Sequence, residues 1–272
     1  MAAHFVTISF IAICSFVILV QSANDNRFQT YYTPLWGFDH LTVNPQGTEV
    51  ELKFDQSSGC GFRSKLDYSS GKFHIQMKVP EKKSGGIVPN FYLYSVPGYG
   101  QNPGSHFEID FEFLGSNGTL QTNVYNDDMG HREQRFRLWF DPSQDFHSYD
   151  FLWNSHQIVF YVDNIPIRVF KNMMDKGIPY PDKPLHVEAT IWNANWAGEV
   201  DWGKAPYVTR YRDFGFDACP VTGDCGSKEY FWNQEKYWDL SPAEKRLMKE
   251  YRSKYMVYDY CTKTQGNKEC SL

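Results

Sequence analysis

Residues 106–113 read His106-Phe107-Glu108-Ile109-Asp110-Phe111-Glu112-Phe113, a strict alternation of polar and apolar side chains. A period of two belongs to a β-strand, whose successive side chains point to opposite faces. Phe107, Ile109, Phe111 and Phe113 make one face, and His106, Glu108, Asp110 and Glu112 the other. Carboxylates this close repel and push one another's pKa upward, so stability gains nothing from the row. Chemistry can use it: glycoside hydrolysis needs one ionised and one protonated carboxyl group. Two plainer readings exist. A sheet with one wet face shows the same alternation. A calcium site also gathers oxygen ligands, but a flat strand does not wrap an ion, and no metal is expected.

Position within the strand suggests the roles. Glu108 and Glu112 are the outer pair, with Asp110 between them to tune both. Four residues of strand rise about 13 Å. A retaining pair needs its carboxyl groups about 5–5.5 Å apart, so the side chains must lean together over Asp110. The raw spacing also permits an inverting enzyme.

The chain has 272 residues, room for one large β domain or two ordinary ones. Its net charge of −5 excludes nucleic acid as a partner class. Residues 1–23 lack Lys, Arg, Asp and Glu, and Phe5 to Val20 is an apolar run ending in Gln21-Ser22-Ala23. This reads as a secretory signal peptide, too short for a membrane span of roughly 20 residues. No later segment is apolar enough to cross a membrane.

Of six cysteines, Cys14 lies in the signal and Cys60 stands alone as a packed thiol. Cys219, Cys225, Cys261 and Cys270 fall near the C-terminus, where a secreted chain forms disulfides. Four cysteines allow three connectivities, and the short spacings favour Cys219–Cys225 with Cys261–Cys270. Asn117-Gly118-Thr119 is a glycosylation sequon at Asn117, just after the acidic strand.

From about residue 50 to 215 the pattern is short strands broken by turns, which points to an all-β sandwich or barrel. Val50-Leu52-Phe54, Phe73-Ile75-Met77-Val79, Phe136-Leu138-Phe140 and Tyr149-Phe151-Trp153 alternate. Ile158-Phe160-Val162 leads through Asp163-Asn164, a hairpin turn signal, into Ile165-Pro166-Ile167. Near the end, Ser241-Pro242-Ala243-Glu244 opens a helix with N-cap, N1 proline and N3 glutamate. Leu247, Met248, Tyr251 and Tyr255 follow at helical spacing and should pack on the sandwich. Met256 to Tyr260 is expected to form a further strand.

Neighbouring segments supply groups suited to sugars. Gln121 and Asn123 share one face of the next strand. Trp192, Trp196, Tyr92, Tyr94 and Tyr99 offer flat faces for pyranose rings, although each alone reads as core. Zincin, serine-hydrolase, Walker and dinucleotide-binding motifs are absent from the sequence, and no cofactor is implied.

The run His106 to Gly115 closely resembles the H-D-E-I-D-F-E-F-L-G motif of plant xyloglucan endotransglucosylase/hydrolases, within glycoside hydrolase family 16. The likeness continues through Gln121 to Tyr125, Arg132 to Arg135, Leu138 to Pro142, Ile158 to Phe170, Trp192 to Ala194 and Tyr211 to Phe214. The resemblance implies a β-jelly-roll sandwich of the concanavalin A-like kind with a concave glucan cleft. It implies a signal peptide at 1–23, a catalytic domain at 24–215 and a disulfide-bonded C-terminal extension at 216–272. Glu108 is then the nucleophile, Glu112 the acid/base and Asp110 the helper. Substrate contacts by motif match are Gln121, Thr122, Asn123, His131, Arg132, Glu133, Asn195, Trp196 and Gly198. Such an enzyme is a secreted, monomeric wall protein that cuts a xyloglucan backbone and passes the glycosyl group to another xyloglucan chain or to water.

The chain departs from the family pattern in places. Phe107 replaces the usual Asp, and strand parity turns it into the apolar face. The stretch from Gly115 to Gln121 is short, as is the loop from Trp196 into Val200-Asp201-Trp202. Gly266 falls about where the family carries an acceptor-side Arg. Hydrolytic members have an enlarged acceptor loop, so the short one here favours transfer. A hydrolase on the same scaffold and a non-catalytic glucan-binding wall protein are the competing readings.

Overall fold

In the computed structural model the described residues are 26–95, 106–115, 118–128, 130–263 and 267–271. The signal segment, Tyr99, Asn117 and Gly266 lie outside them.

Alternating apolar residues build the strands in chain order. The first five are β1 (Tyr32–Trp36), β2 (Leu41–Val43), β3 (Glu49–Phe54), β4 (Cys60–Ser64) and β5 (Tyr68–Lys78). Next come β6 (Ile87–Tyr94), β7 (His106–Phe113), β8 (Thr119–Asp128), β9 (Gln134–Arg137) and β10 (His147–Trp153). Then β11 (Gln157–Val162), β12 (Ile165–Lys171), β13 (His186–Asn193) and β14 (Tyr207–Arg212) complete the main body. Two short strands, β15 (Asp217–Pro220) and β16 (Met256–Asp259), come from the C-terminal segment.

They form two antiparallel sheets that pack as a β-jelly-roll sandwich. One has the order β1-β4-β13-β6-β7-β8-β9-β16, and the other β12-β11-β10-β5-β14-β3-β2 with β15 beside β5. The acidic strand β7 is therefore interior to its sheet, flanked by β6 and β8. Its apolar face meets the facing sheet: Phe111 lies 4.7 Å from Phe151 and Phe91 5.2 Å from it, ring centre to ring centre. Fully burying each such ring contributes about 1.5–3 kcal/mol.

The hairpin between β11 and β12 turns at Asp163 and Asn164, with φ of 49° and 62°, the left-handed pair of a type I′ turn. Pro166 is accommodated because β12 is an edge strand with an irregularity opposite it. The alternation expected over Phe136-Leu138-Phe140 runs too far. Strand β9 ends at Arg137, because Phe140 turns to stack on His147 at 3.3 Å and Trp139 turns under the C-terminal helix.

That helix spans Pro242–Tyr255, with Ser241 and Glu244 closing a full capping box. Tyr251 sits 4.6 Å from Trp139, and Tyr255 5.5 Å. Apolar packing is not its only anchor. Arg252 donates to Gln134 at 2.7 Å, to the Ile167 carbonyl at 3.1 Å and to Asp259 at 3.0 Å. The disulfides join Cys219 to Cys225 and Cys261 to Cys270. Cys60 is a buried free thiol, and burial pushes its pKa up to about 12.

Candidate active site

The ladder fixes which side chains surround the acidic row. Glu108 pairs with Tyr94 on one side and Tyr125 on the other; Asp110 with Tyr92 and Asn123; Glu112 with Asn90 and Gln121. Directly opposed residues of antiparallel strands share a face, so these nine side chains form three rungs on the outer face.

Glu108 is held by His106, whose Nε2 lies 2.6 Å from its Oε2. The His106 ring is clamped between Tyr125 at 4.8 Å and Tyr94 at 5.1 Å. Asp110 is almost wholly buried and hydrogen bonds Glu108. Burial first, then the charges of Glu108 and Glu112, push its pKa well above the carboxylate range. Arg168, buried between the sheets, partly opposes this shift.

Glu112 accepts from the Gln121 amide at 2.9 Å. Burial pushes its pKa to about 7, against the lowering effect of Gln121 and with a further push from Glu108. A carboxyl group poised near neutrality can give and retake a proton. The row thus combines a carboxyl group oriented by His106, a buried one whose pKa is raised and one poised near neutrality.

The remaining expected contacts divide. Gln121 and Asn123 belong to the rungs. The Asn123 oxygen is occupied, accepting from the backbone N–H groups of Val124 and Arg132 at 2.9 and 3.1 Å. His131 is exposed with φ of 63°, and Glu133 is close enough to raise Glu112 electrostatically. Asn195, Trp196 and Gly198 lie at the Glu112 end. There Gly86 bonds both Ala194 and Ala197, and Gly115 bonds Ile87. Trp196 is 55% exposed and meets the half-exposed Trp192 edge-on at 6.2 Å. Gly198 contributes backbone shape: its φ of 108° strains any residue with a side chain, and a Cβ there would press on Gly85 at 3.3 Å.

Two expected contacts face elsewhere. Thr122 has the parity of Phe111 and points into the sandwich, where its hydroxyl accepts from Arg168 at 2.9 Å. Arg132 is buried and spends its guanidinium on Glu269 at 2.6 Å and on the carbonyls of Val124 and Gly130. It fastens the disulfide-closed tail to the sheet. Tyr92 also differs from expectation: most of its ring is covered, so its hydroxyl matters rather than its face. Sequence reading missed Arg168 and Glu188, since nothing in local spacing tells a buried charge from a surface one. Among the described residues, no group of side chains could hold a metal ion.

Fold and site together define a β-sandwich enzyme of the glycoside hydrolase type. The description "Glycosyl hydrolases family 16" matches residues 28–211, and "Xyloglucan endo-transglycosylase (XET) C-terminus" matches residues 226–265. The chain is 47% identical over 255 residues to xyloglucan endotransglucosylase/hydrolase protein 3 of Arabidopsis thaliana, covering 87% of this chain and 85% of that one. It is 42% identical to xyloglucan endotransglucosylase protein 2 of Diospyros kaki, with coverage of 88% and 84%. Among solved structures, the Bacillus licheniformis β-glucanase shares the fold with a TM-score of 0.60 at 23% identity, over 72% of this chain and 95% of that chain. The chain belongs to the xyloglucan endotransglucosylase/hydrolases, within glycosyl hydrolases family 16.

Proposed function

We propose that the protein is a retaining xyloglucan endotransglucosylase, with Glu108 as nucleophile, Glu112 as acid/base and Asp110 as helper. The observation that carries this is Glu112, poised at about 7 on the same face as the His106-held Glu108. In the first step a Glu108 oxygen attacks the anomeric carbon of a backbone glucosyl unit. The C–O bond to the departing chain breaks as Glu112 gives its proton to that oxygen. A glycosyl ester on Glu108 remains. As Glu108 loses its charge, Asp110, buried beside it, steadies the ester. In the second step a hydroxyl of an incoming xyloglucan end attacks the same carbon. Glu112, now a carboxylate, takes its proton and Glu108 is released. Trp192 and Trp196, exposed at the Glu112 end, give departing and incoming chains an apolar surface.

A hydrolase follows if water arrives first. The short passage from Trp196 to Trp202 leaves no enlarged loop there, which favours the sugar acceptor. Residues 1–23 serve as a secretion signal, with the catalytic unit at 24–215 and the extension at 216–272. The protein acts as a monomer in the cell wall, glycosylated at Asn117. No helix among the described residues is long and apolar enough to cross a membrane.

The test is incubation with high-molecular-weight xyloglucan and labelled xyloglucan oligosaccharide. Label entering polymer without new reducing ends is expected. New reducing ends with little incorporation would make it a hydrolase, and neither signal would leave a binding protein.

A further inference from the structure

A fourth carboxylate shares the substrate face. Glu188 on β13 pairs with Tyr92, and Tyr92 pairs with Asp110, so the three stand on one rung across β13, β6 and β7. Glu188 is only 7% exposed. Its Oε2 accepts from the Tyr92 hydroxyl, and its Oε1 lies 2.7 Å from His186 Nε2. His186 is itself buried, edge-on to Tyr94 at 5.5 Å. A buried carboxylate is costly and persists where it is hydrogen bonded. This one is bonded on both oxygens, and one bond ends on a residue beside the reaction centre.

The consequence is one of polarity. A phenol has a single hydrogen, and Tyr92 gives it to Glu188. Only lone pairs then remain on the Tyr92 oxygen for a ligand. Donation to Glu188 polarises the hydroxyl and makes its oxygen the stronger acceptor. Tyr92 stands on the rung of Asp110, next to the rung of Glu108, and is close enough to Glu108 to feel its charge.

We propose that Glu188 is a positioning residue for glycosyl transfer: it fixes the Tyr92 hydroxyl as a hydrogen-bond acceptor for a hydroxyl of the glucosyl unit held at Glu108. The role rests on the transfer reading above, because it needs a sugar seated on the Glu108–Glu112 row. The contact is to the unit being transferred, so it is present with any acceptor and does not change acceptor recognition.

The experiment compares Tyr92→Phe, Glu188→Gln, Glu188→Leu and the double variant Tyr92→Phe/Glu188→Leu. Each is assayed with xyloglucan donor and labelled oligosaccharide acceptor, with melting temperature recorded. Wild-type incorporation is the control: its absence overturns the transfer reading and this role with it. Given wild-type turnover, Tyr92→Phe and Glu188→Leu should each lower kcat/KM for donor by about tenfold, the effect of one lost hydrogen bond in the transition state. Acceptor KM should stay unchanged. Glu188→Gln, which keeps an oxygen for Tyr92, should remain within about threefold of wild type. The double variant should be no slower than Tyr92→Phe, since both changes remove one unit. Losses that multiply, or acceptor KM moving in parallel, overturn the proposal. So does Tyr92→Phe matching wild type, and that arm decides even if Glu188→Leu fails to fold.

Discussion

Gln121 donates its amide to Glu112 at 2.9 Å while its oxygen accepts from Arg135 at 2.8 Å. Arg can only donate, so Arg135 fixes which end of the amide faces the carboxyl group. The pair carries positive potential to Glu112 and restrains a pKa that burial drives upward. With Glu112 as the proposed acid, the first chemical step needs it protonated, so donor cleavage should fall as pH rises through about 7. Gln121→Leu removes the restraint and should move that alkaline limb up by about half to one pH unit, read from kcat/KM against pH.

The same shift predicts a stability effect. Glu112 titrates near 7 in the fold against 4.5 ordinarily, so the folded protein holds its proton more tightly. That contribution is complete below about pH 4 and lost as pH rises through 7. Glu112→Gln, a neutral near-isostere, should therefore raise stability at pH 8 by about 1–3 kcal/mol and change little at pH 4. Denaturant unfolding at the two pH values measures it.

Glu108→Ala should abolish the covalent glycosyl-enzyme while sparing the fold, because it removes a charge that presses on both Asp110 and Glu112. Intact-mass analysis after incubation with an activated donor reports the ester, and thermal unfolding the fold. Near wild-type turnover of xyloglucan by this variant would show that the nucleophile is elsewhere.

Phe107 is 5% exposed on the core face, with the Lys183 ammonium 5.3 Å from its ring. Phe107→Asp should cost about 3 kcal/mol or more through lost apolar burial and a desolvated carboxylate. The rate per folded molecule should stay within a few-fold of wild type. A large gain in rate without loss of stability would refute the parity argument.

Arg132→Ala strands Glu269, whose side chain is 7% exposed, without its 2.6 Å partner. Removing one member of a buried ion pair costs about 3–5 kcal/mol. The melting temperature should fall, with donor and acceptor KM changing little at temperatures where the variant is folded. A changed KM at unchanged stability would return Arg132 to the substrate.

Much of the architecture was legible because it rests on local rules. The period of two from His106 to Phe113 placed the strand and both its faces. Asp163-Asn164 announced a turn whose left-handed φ pair follows from the tolerance of Asp and Asn for that conformation. Ser241-Pro242-Ala243-Glu244 announced the capping box. Thr122 and Arg132 misled because motif position says nothing of direction. One residue of register separates the open face from the core, and a guanidinium turns toward whichever carboxylate lies within reach.

By itself the sequence determined the all-β class, the carboxylate row with its separated faces and the helix start, since each depends on near neighbours along the chain. Tertiary structure alone decided that Glu188 and Tyr92 stand on the rung of Asp110, that Arg168 lies beneath that rung and that Glu269 receives Arg132. Along the chain Glu188 is 78 residues from Asp110, Arg168 is 58 and Tyr92 is 18, while Arg132 and Glu269 are 137 apart. Their burial and their hydrogen-bond partners are met across strands and between distant segments, which a linear order of residues does not contain.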